Sequence, residues 1–247
     1  MAAPALRTNK ATLRAVKAMV ASARTLPLEN GDRLSAVEFL RRFQAMPLVK
    51  KAELVDGTVH MPSPVSLTQH ALPDIILQTW LGTYMASTPE VTGGANATVR
   101  LNSQDIPQPD SLMMIRPEYG GAARIGDDGF IEGPPELVVE IAGSSASIDL
   151  GAKLQIYHRA GVREYLVWIT GEPRVEWRTW NDDSGEYDFL AAGTEGVAQS
   201  RVFPGLWLDV AALLDHDASR LLAKLQRGIA SAAHKTFRKR LAAKAGR

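Results

Sequence analysis

Apolar and polar residues change period several times along this chain, and each change marks an element. In residues 35–43 (Ser-Ala-Val-Glu-Phe-Leu-Arg-Arg-Phe), Ser35 stands three residues before Glu38, the spacing of a capping box. It predicts a short helix with Val37, Leu40 and Phe43 turned inward. Two short β-prone runs in residues 52–61 flank Asp56-Gly57, a hairpin signal, and Pro62 and Pro64 end the second run. Residues 68–86 carry helical spacing through Ile76, Trp80, Leu81 and Tyr84, with Pro73 marking either the helix start or a kink. Gly93-Gly94 reads as a break before a strand over 97–101, and Pro109-Asp110 opens another through Ile115.

The second half is more regular. After a Gly-, Pro- and Asp-rich excursion over 117–135, the near-continuous apolar run of 136–142 predicts a strand buried on both faces. A helix over 147–160 stops at Gly161, a strand follows over 164–169, and 175–180 with 187–191 reads as a trailing hairpin. From Arg220 the composition is helical. This order predicts an α/β (α+β) fold, a central mixed sheet flanked by helices, with a core domain over 31–217 and basic extensions over 1–30 and 218–247.

Composition narrows the class. Hydrophobic residues at 45% and charged residues at 22% are ordinary for a globular protein, and no apolar run approaches the roughly 20 residues of a membrane span. The absence of cysteine excludes thiol catalysis and cysteine metal sites, and fits a cytoplasmic protein. Residues 1–28 lack the apolar core of a secretory signal; a basic amphipathic helix or an organelle transit peptide remains open there. The net charge of +1 hides a segregation. Residues 1–28 and those after Asp217 hold 14 of the 28 basic residues and no acid, while the middle keeps the other 14 against all 27 acids. Such ends either fold back on the acidic body or reach for an anionic polymer such as DNA.

Glu140 is the most informative position, because an unpaired carboxylate inside Leu137-Val138-Val139-Glu140-Ile141-Ala142 would be costly to bury. Strand alternation puts Glu136, Val138, Glu140 and Ala142 on one face, so something must hold the Glu140 charge: an arginine, a lysine, hydrogen-bond donors or a metal ion. Asp110 begins the preceding strand, with Leu112 and Met114 on its face. If those strands are neighbours, two carboxylates meet at strand ends, a situation that Mg²⁺ resolves with one or two carboxylates and several waters. Asp149, Lys153 and Tyr157 stand four apart on one helix face. Spacing alone reads them as a surface Asp–Lys pair with Tyr157 as packing; beside a metal, Lys153 would instead orient water or steady charge on a phosphate. His60, His158, His216 and His234 lack metal-site spacing. No phosphate-binding glycine loop and no Gly-x-Ser-x-Gly elbow occurs.

Taken in order, Glu53-Leu54-Val55-Asp56-Gly57, Pro64, His70, Pro109-Asp110, Leu137-Val138-Val139-Glu140, Asp149-x-x-x-Lys153-x-x-x-Tyr157 and Gly161-Val162-x-Glu164-Tyr165 resemble the Uma-two family over about residues 35–191. This is a bacterial family of restriction-endonuclease type in the PD-(D/E)XK superfamily. The resemblance implies a restriction-endonuclease-like core and Mg²⁺-dependent (or Mn²⁺-dependent) hydrolysis of DNA phosphodiester bonds. It implies Asp110 and Glu140 as metal ligands, Lys153 as the displaced superfamily lysine, and Glu53 and His70 as auxiliary catalytic residues. DNA is then the partner, with a homodimer open and no membrane. Two positions depart from the pattern: Ala142 stands where the superfamily lysine is usual, and Gly143-Ser144 where Ser-Pro is frequent. A nucleic-acid-binding protein with little activity, or a regulatory protein whose carboxylates only pair with Lys153, are the alternatives on the same fold.

Overall fold

The computed structural model describes residues 25–143, 145–193 and 195–244. The basic helix expected at the extreme N-terminus therefore lies outside the described residues.

Ser35 caps helix α1 (Ala36–Gln44) by accepting the Glu38 N–H. Glu38 turns to Arg41 and Arg42. The buried side is Ala36 and Phe39, with Leu40 and Phe43 packed against them, and Val37 faces solvent, contrary to the inward position expected from sequence. The large Phe39 fixes the helix rotation, and Val37 lies away from it. The hairpin follows as expected: β1 (Glu53–Val55) and β2 (Thr58–His60) pair antiparallel, with Asp56 and Gly57 both at positive φ. That is the backbone demanded by the tight turn and tolerated by these residue types.

A π-helical turn over Leu67–Ala71 leads into α2 (Leu72–Ala86), with Pro73 in its first turn, where no N–H is needed. Strand β3 (Val91–Ala95) runs straight through Gly93-Gly94, so the break expected there is absent. Its physical reason is close approach. A Cβ at Gly93 would lie 2.2 Å from the Leu112 carbonyl, so only glycine lets β3 pair with β5 (Ser111–Ile115). The strand expected over 97–101 is reduced to β4 (Val99–Arg100). It joins β6 (Arg124–Ile125) and β7 (Ile131–Glu132), both from the excursion, in a small three-stranded sheet.

The main sheet has the order β11-β10-β9-β8-β5-β3, where β8 is Leu137–Ala142, β9 Glu164–Ile169, β10 Arg174–Asn181 and β11 Glu186–Phe189. Only β8 and β9 are parallel. Their crossover is helical: α3 (Ala146–Ile148), a π turn over Asp149–Lys153, and α4 (Leu154–Ala160), closed by Gly161 at φ +80°. Both faces of β8 are covered. Leu137, Val139 and Ile141 meet Trp80 and Tyr84 of α2, while Val138 and Ala142 meet Ile156 and Tyr157 of α4.

Strands β12 (Val197–Gln199) and β13 (Trp207–Asp209) form a hairpin-like pair that leads into α5 (Val210–Leu214). The basic C-terminal segment is helical, as α6 (Ala218–Ile229) and α7 (Ala232–Ala242). Leu221, Leu225, Phe237 and Leu241 enter the same core as Trp80 and Tyr84. Arg220, Lys224 and Arg238 pair with Asp209, Glu195 and Glu90 of the acidic body. Arg227, Lys235, Lys239, Arg240 and Lys244 are exposed. No helix among the described residues is long and apolar enough to cross a membrane.

Candidate functional site

Strands β5 and β8 are antiparallel neighbours, with Ser111 opposite Val139, so one residue further the chain sets Asp110 opposite Glu140. Each acid accepts a backbone N–H from the other's strand. Ile141 donates to Asp110 Oδ2 at 2.9 Å, and Asp110 donates to Glu140 Oε2 at 3.4 Å. Both carboxylates are buried.

Glu140 Oε1 accepts from Lys153 Nζ at 3.0 Å and from the Tyr157 hydroxyl at 2.9 Å. The Lys153 ammonium also lies 3.0 Å from Glu53 Oε1 and 3.5 Å from Asp149 Oδ1. Asp149 and Lys153 are both buried, so the surface pair that their spacing suggested is not formed. The reason is the π turn, which brings Asp149 and Lys153 in against the sheet. The Tyr165 hydroxyl donates to the Asp149 carbonyl there. Such turns are rare and recur at functional sites. The second one in this protein carries His70, whose Nε2 is 3.5 Å from Asp110 Oδ1.

Glu53 is brought in by β1. Its Oε1 accepts the Gln108 N–H at 2.8 Å, while Leu54 exchanges backbone hydrogen bonds with Ile106. All five residues singled out from the sequence (Glu53, His70, Asp110, Glu140, Lys153) therefore line one cleft of about 800 Å³.

Two further lining residues were not singled out. Lys51 Nζ donates to Asp110 Oδ1 at 2.8 Å and to Asn96 Oδ1 at 2.9 Å. The alternation Lys51-Ala52-Glu53 carried a signal, since positions two apart in extended chain share a face. Asp74 lies four residues after His70. Its Oδ2 accepts from Gln78, and its Oδ1 is buried without a partner among the described residues.

Among the described residues the cleft is anionic: Glu53, Asp74, Asp110, Glu140 and Asp149 face only Lys51 and Lys153 as lysine or arginine partners. Burial pushes Glu140 up to about 8; Lys153 opposes the shift, while Asp110, Asp149 and Glu53 add to it. Burial likewise raises Asp149 and Asp74. Burial works against the Lys153 ammonium too, but the surrounding carboxylates overcome it and hold the group charged. Raised values on both Lys153 and Glu140 are consistent once the acids outnumber the cation: Lys153 stays charged and one acid keeps a proton. Asp110 is the exception. Burial opposes its ionisation, but Lys51 and the Ile141 N–H outweigh that and hold it below the usual carboxylate range.

Among the described residues no three His, Asp or Glu side chains gather as a complete metal cage. The donor chemistry nonetheless fits a hard divalent cation, which is content with one or two carboxylates and keeps several waters. Glu140 Oε2 is engaged only by one long N–H contact, and Asp110 Oδ1 already holds a cation, the Lys51 ammonium.

The central mixed sheet flanked by helices is a restriction-endonuclease-like fold. The model of the Uma2 family, described as "Putative restriction endonuclease", matches residues 37–211, and the chain belongs to that family. Among solved structures the chain is similar to a crystal structure described as "a putative nuclease belonging to DUF820" from Anabaena variabilis. That match has a TM-score of 0.54 and 12% identity, and covers 72% of this chain and 97% of that one, a likeness of fold. A comparison with curated proteins finds no match.

Proposed function

We propose that this protein is a divalent-cation-dependent endonuclease that hydrolyses DNA phosphodiester bonds in the cleft between Asp110 and Glu140. The observation that carries this reading is the clasp of the two acids at neighbouring strand ends, open to a cleft whose walls are net negative. A phosphate enters such a cleft only if a cation comes with it. Asp110 and Glu140 would hold Mg²⁺ or Mn²⁺, which when bound acidifies a water and offsets charge on the phosphate. Lys153 holds the carboxylates of Glu53, Glu140 and Asp149 in place, and Tyr157 fixes Glu140 from the same side. His70 sits at the mouth beside Asp110, within reach of a water or a leaving oxygen.

A second reading has one observation in its favour. Glu140 already has a buried partner in Lys153, as it would in a binding or regulatory protein that kept only the fold. That pairing gives no role to Asp110, which faces the cleft with Lys51 and His70. The test is cleavage of supercoiled, linear duplex and single-stranded DNA with Mg²⁺, Mn²⁺ or EDTA. Cleavage in the metals and none in EDTA supports the nuclease. Metal-free binding of DNA without cleavage in any condition supports the second reading.

A further inference from the structure

We propose that Lys51, and not Lys153, is the cation that meets the phosphate being cleaved; this rests on the nuclease reading above. An ammonium has three N–H donors and no more. The Lys153 ammonium is enclosed by three carboxylates, hydrogen-bonded to Glu140 Oε1 at 3.0 Å and at ion-pair distances of 3.0 Å from Glu53 and 3.5 Å from Asp149, and its side chain is 6% exposed. Turning it towards a phosphate would draw the one cation away from three buried carboxylates.

Lys51 differs in burial and in the charge around it. Its side chain is 24% exposed to the cleft, and its ammonium meets one carboxylate, Asp110 at 2.8 Å, and the Asn96 amide oxygen at 2.9 Å, with a third N–H available. Its position is built rather than incidental. The Ala52 N–H donates to Gln108 Oε1 and Leu54 pairs with Ile106, so the chain before β1 is tied to the chain that ends in Asp110. Lys51 thus sits over Asp110 from a backbone anchored one and three residues further on.

In the reaction a water oxygen bonds to phosphorus and the bond from phosphorus to a sugar oxygen breaks. The sugar oxygen leaves with a proton, giving a phosphomonoester and an alcohol. Lys51 stays protonated throughout and donates to a non-bridging oxygen as charge builds on it. Loss of one such donor typically slows turnover by about 10²–10³-fold. Because Lys51 shares Asp110 Oδ1 with any cation bound there, it also competes with the metal.

The test uses the full chain with Lys51→Met and Lys51→Arg, with Mn²⁺ alone in calorimetry and with a labelled DNA substrate at saturating Mn²⁺. Lys51→Met is expected to bind Mn²⁺ several-fold more tightly than wild type while kcat falls by about 100-fold, and Lys51→Arg is expected to recover part of kcat. If wild type cleaves and Lys51→Met cleaves equally fast, this role is overturned and the nuclease reading stands. If wild type binds Mn²⁺ and cleaves nothing, the nuclease reading falls and this role falls with it.

Discussion

Asp110 and Glu140 stand across one rung of the β5–β8 pair, each holding a backbone N–H of the other's strand. The clasp costs nothing in side-chain reach and leaves Glu140 Oε2 with only one long contact. Two acids are thereby brought together in a poorly solvated place, a conflict that Lys153 relieves on the Glu140 side and Lys51 on the Asp110 side.

The two partners of the buried pair should respond differently to removal. Glu140→Gln leaves Lys153 with Glu53 and Asp149, so metal-free stability should change by about 1 kcal/mol or less. Lys153→Met leaves three buried carboxylates without their cation and should cost about 3–5 kcal/mol at neutral pH. Urea unfolding in EDTA measures both. A loss of several kcal/mol for Glu140→Gln would mean that Glu140 exists to satisfy Lys153.

Stability should also depend on pH through Glu140. In the folded protein it keeps its proton up to about 8, against 4.5 for an ordinary glutamate. Between those values the folded state binds more proton than the unfolded chain. Its contribution is therefore complete below 4.5 and is lost as pH rises through 8, by at most about 1.4 kcal/mol per pH unit. Metal binding must expel that proton, so affinity for Mn²⁺ should rise over the same range. Unfolding in EDTA across this range, on wild type and Glu140→Gln, checks the sign: the variant should show a flatter profile.

The C-terminal helices allow a separation of packing from charge. Phe237 is buried in the main core, so Phe237→Ala should cost about 3–5 kcal/mol. Neutralising exposed Lys235, Lys239, Arg240 and Lys244 should leave the melting temperature nearly unchanged. If that face contacts phosphates, the same variant should flatten the salt dependence of DNA binding by about 0.9 log units per lost contact. An unchanged salt slope would assign these charges to solvation alone.

The sheet and its flanking helices were legible because β8 and β9 are apolar apart from Glu140 and Glu164 and because Asp56-Gly57 and Gly161 punctuate the chain where backbone geometry requires it. Glu140 was legible for the opposite reason, as a charge where none should be. The Gly93-Gly94 strand was not, since the close approach of Leu112 that requires glycine is a long-range fact. Nor were the burial of Asp149 and Lys153, which depends on a π turn that no local pattern announces, or the role of Lys51. Its partner Asp110 lies 59 residues away.

The most direct test is the single-turnover rate of DNA cleavage as a function of Mn²⁺ concentration, for wild type and Asp110→Asn. A wild-type rate that is zero in EDTA and saturates with Mn²⁺, with no cleavage by Asp110→Asn at any concentration, is expected. Cleavage that ignores Mn²⁺, or an Asp110→Asn variant as fast as wild type, would contradict a metal centre built on Asp110 and Glu140.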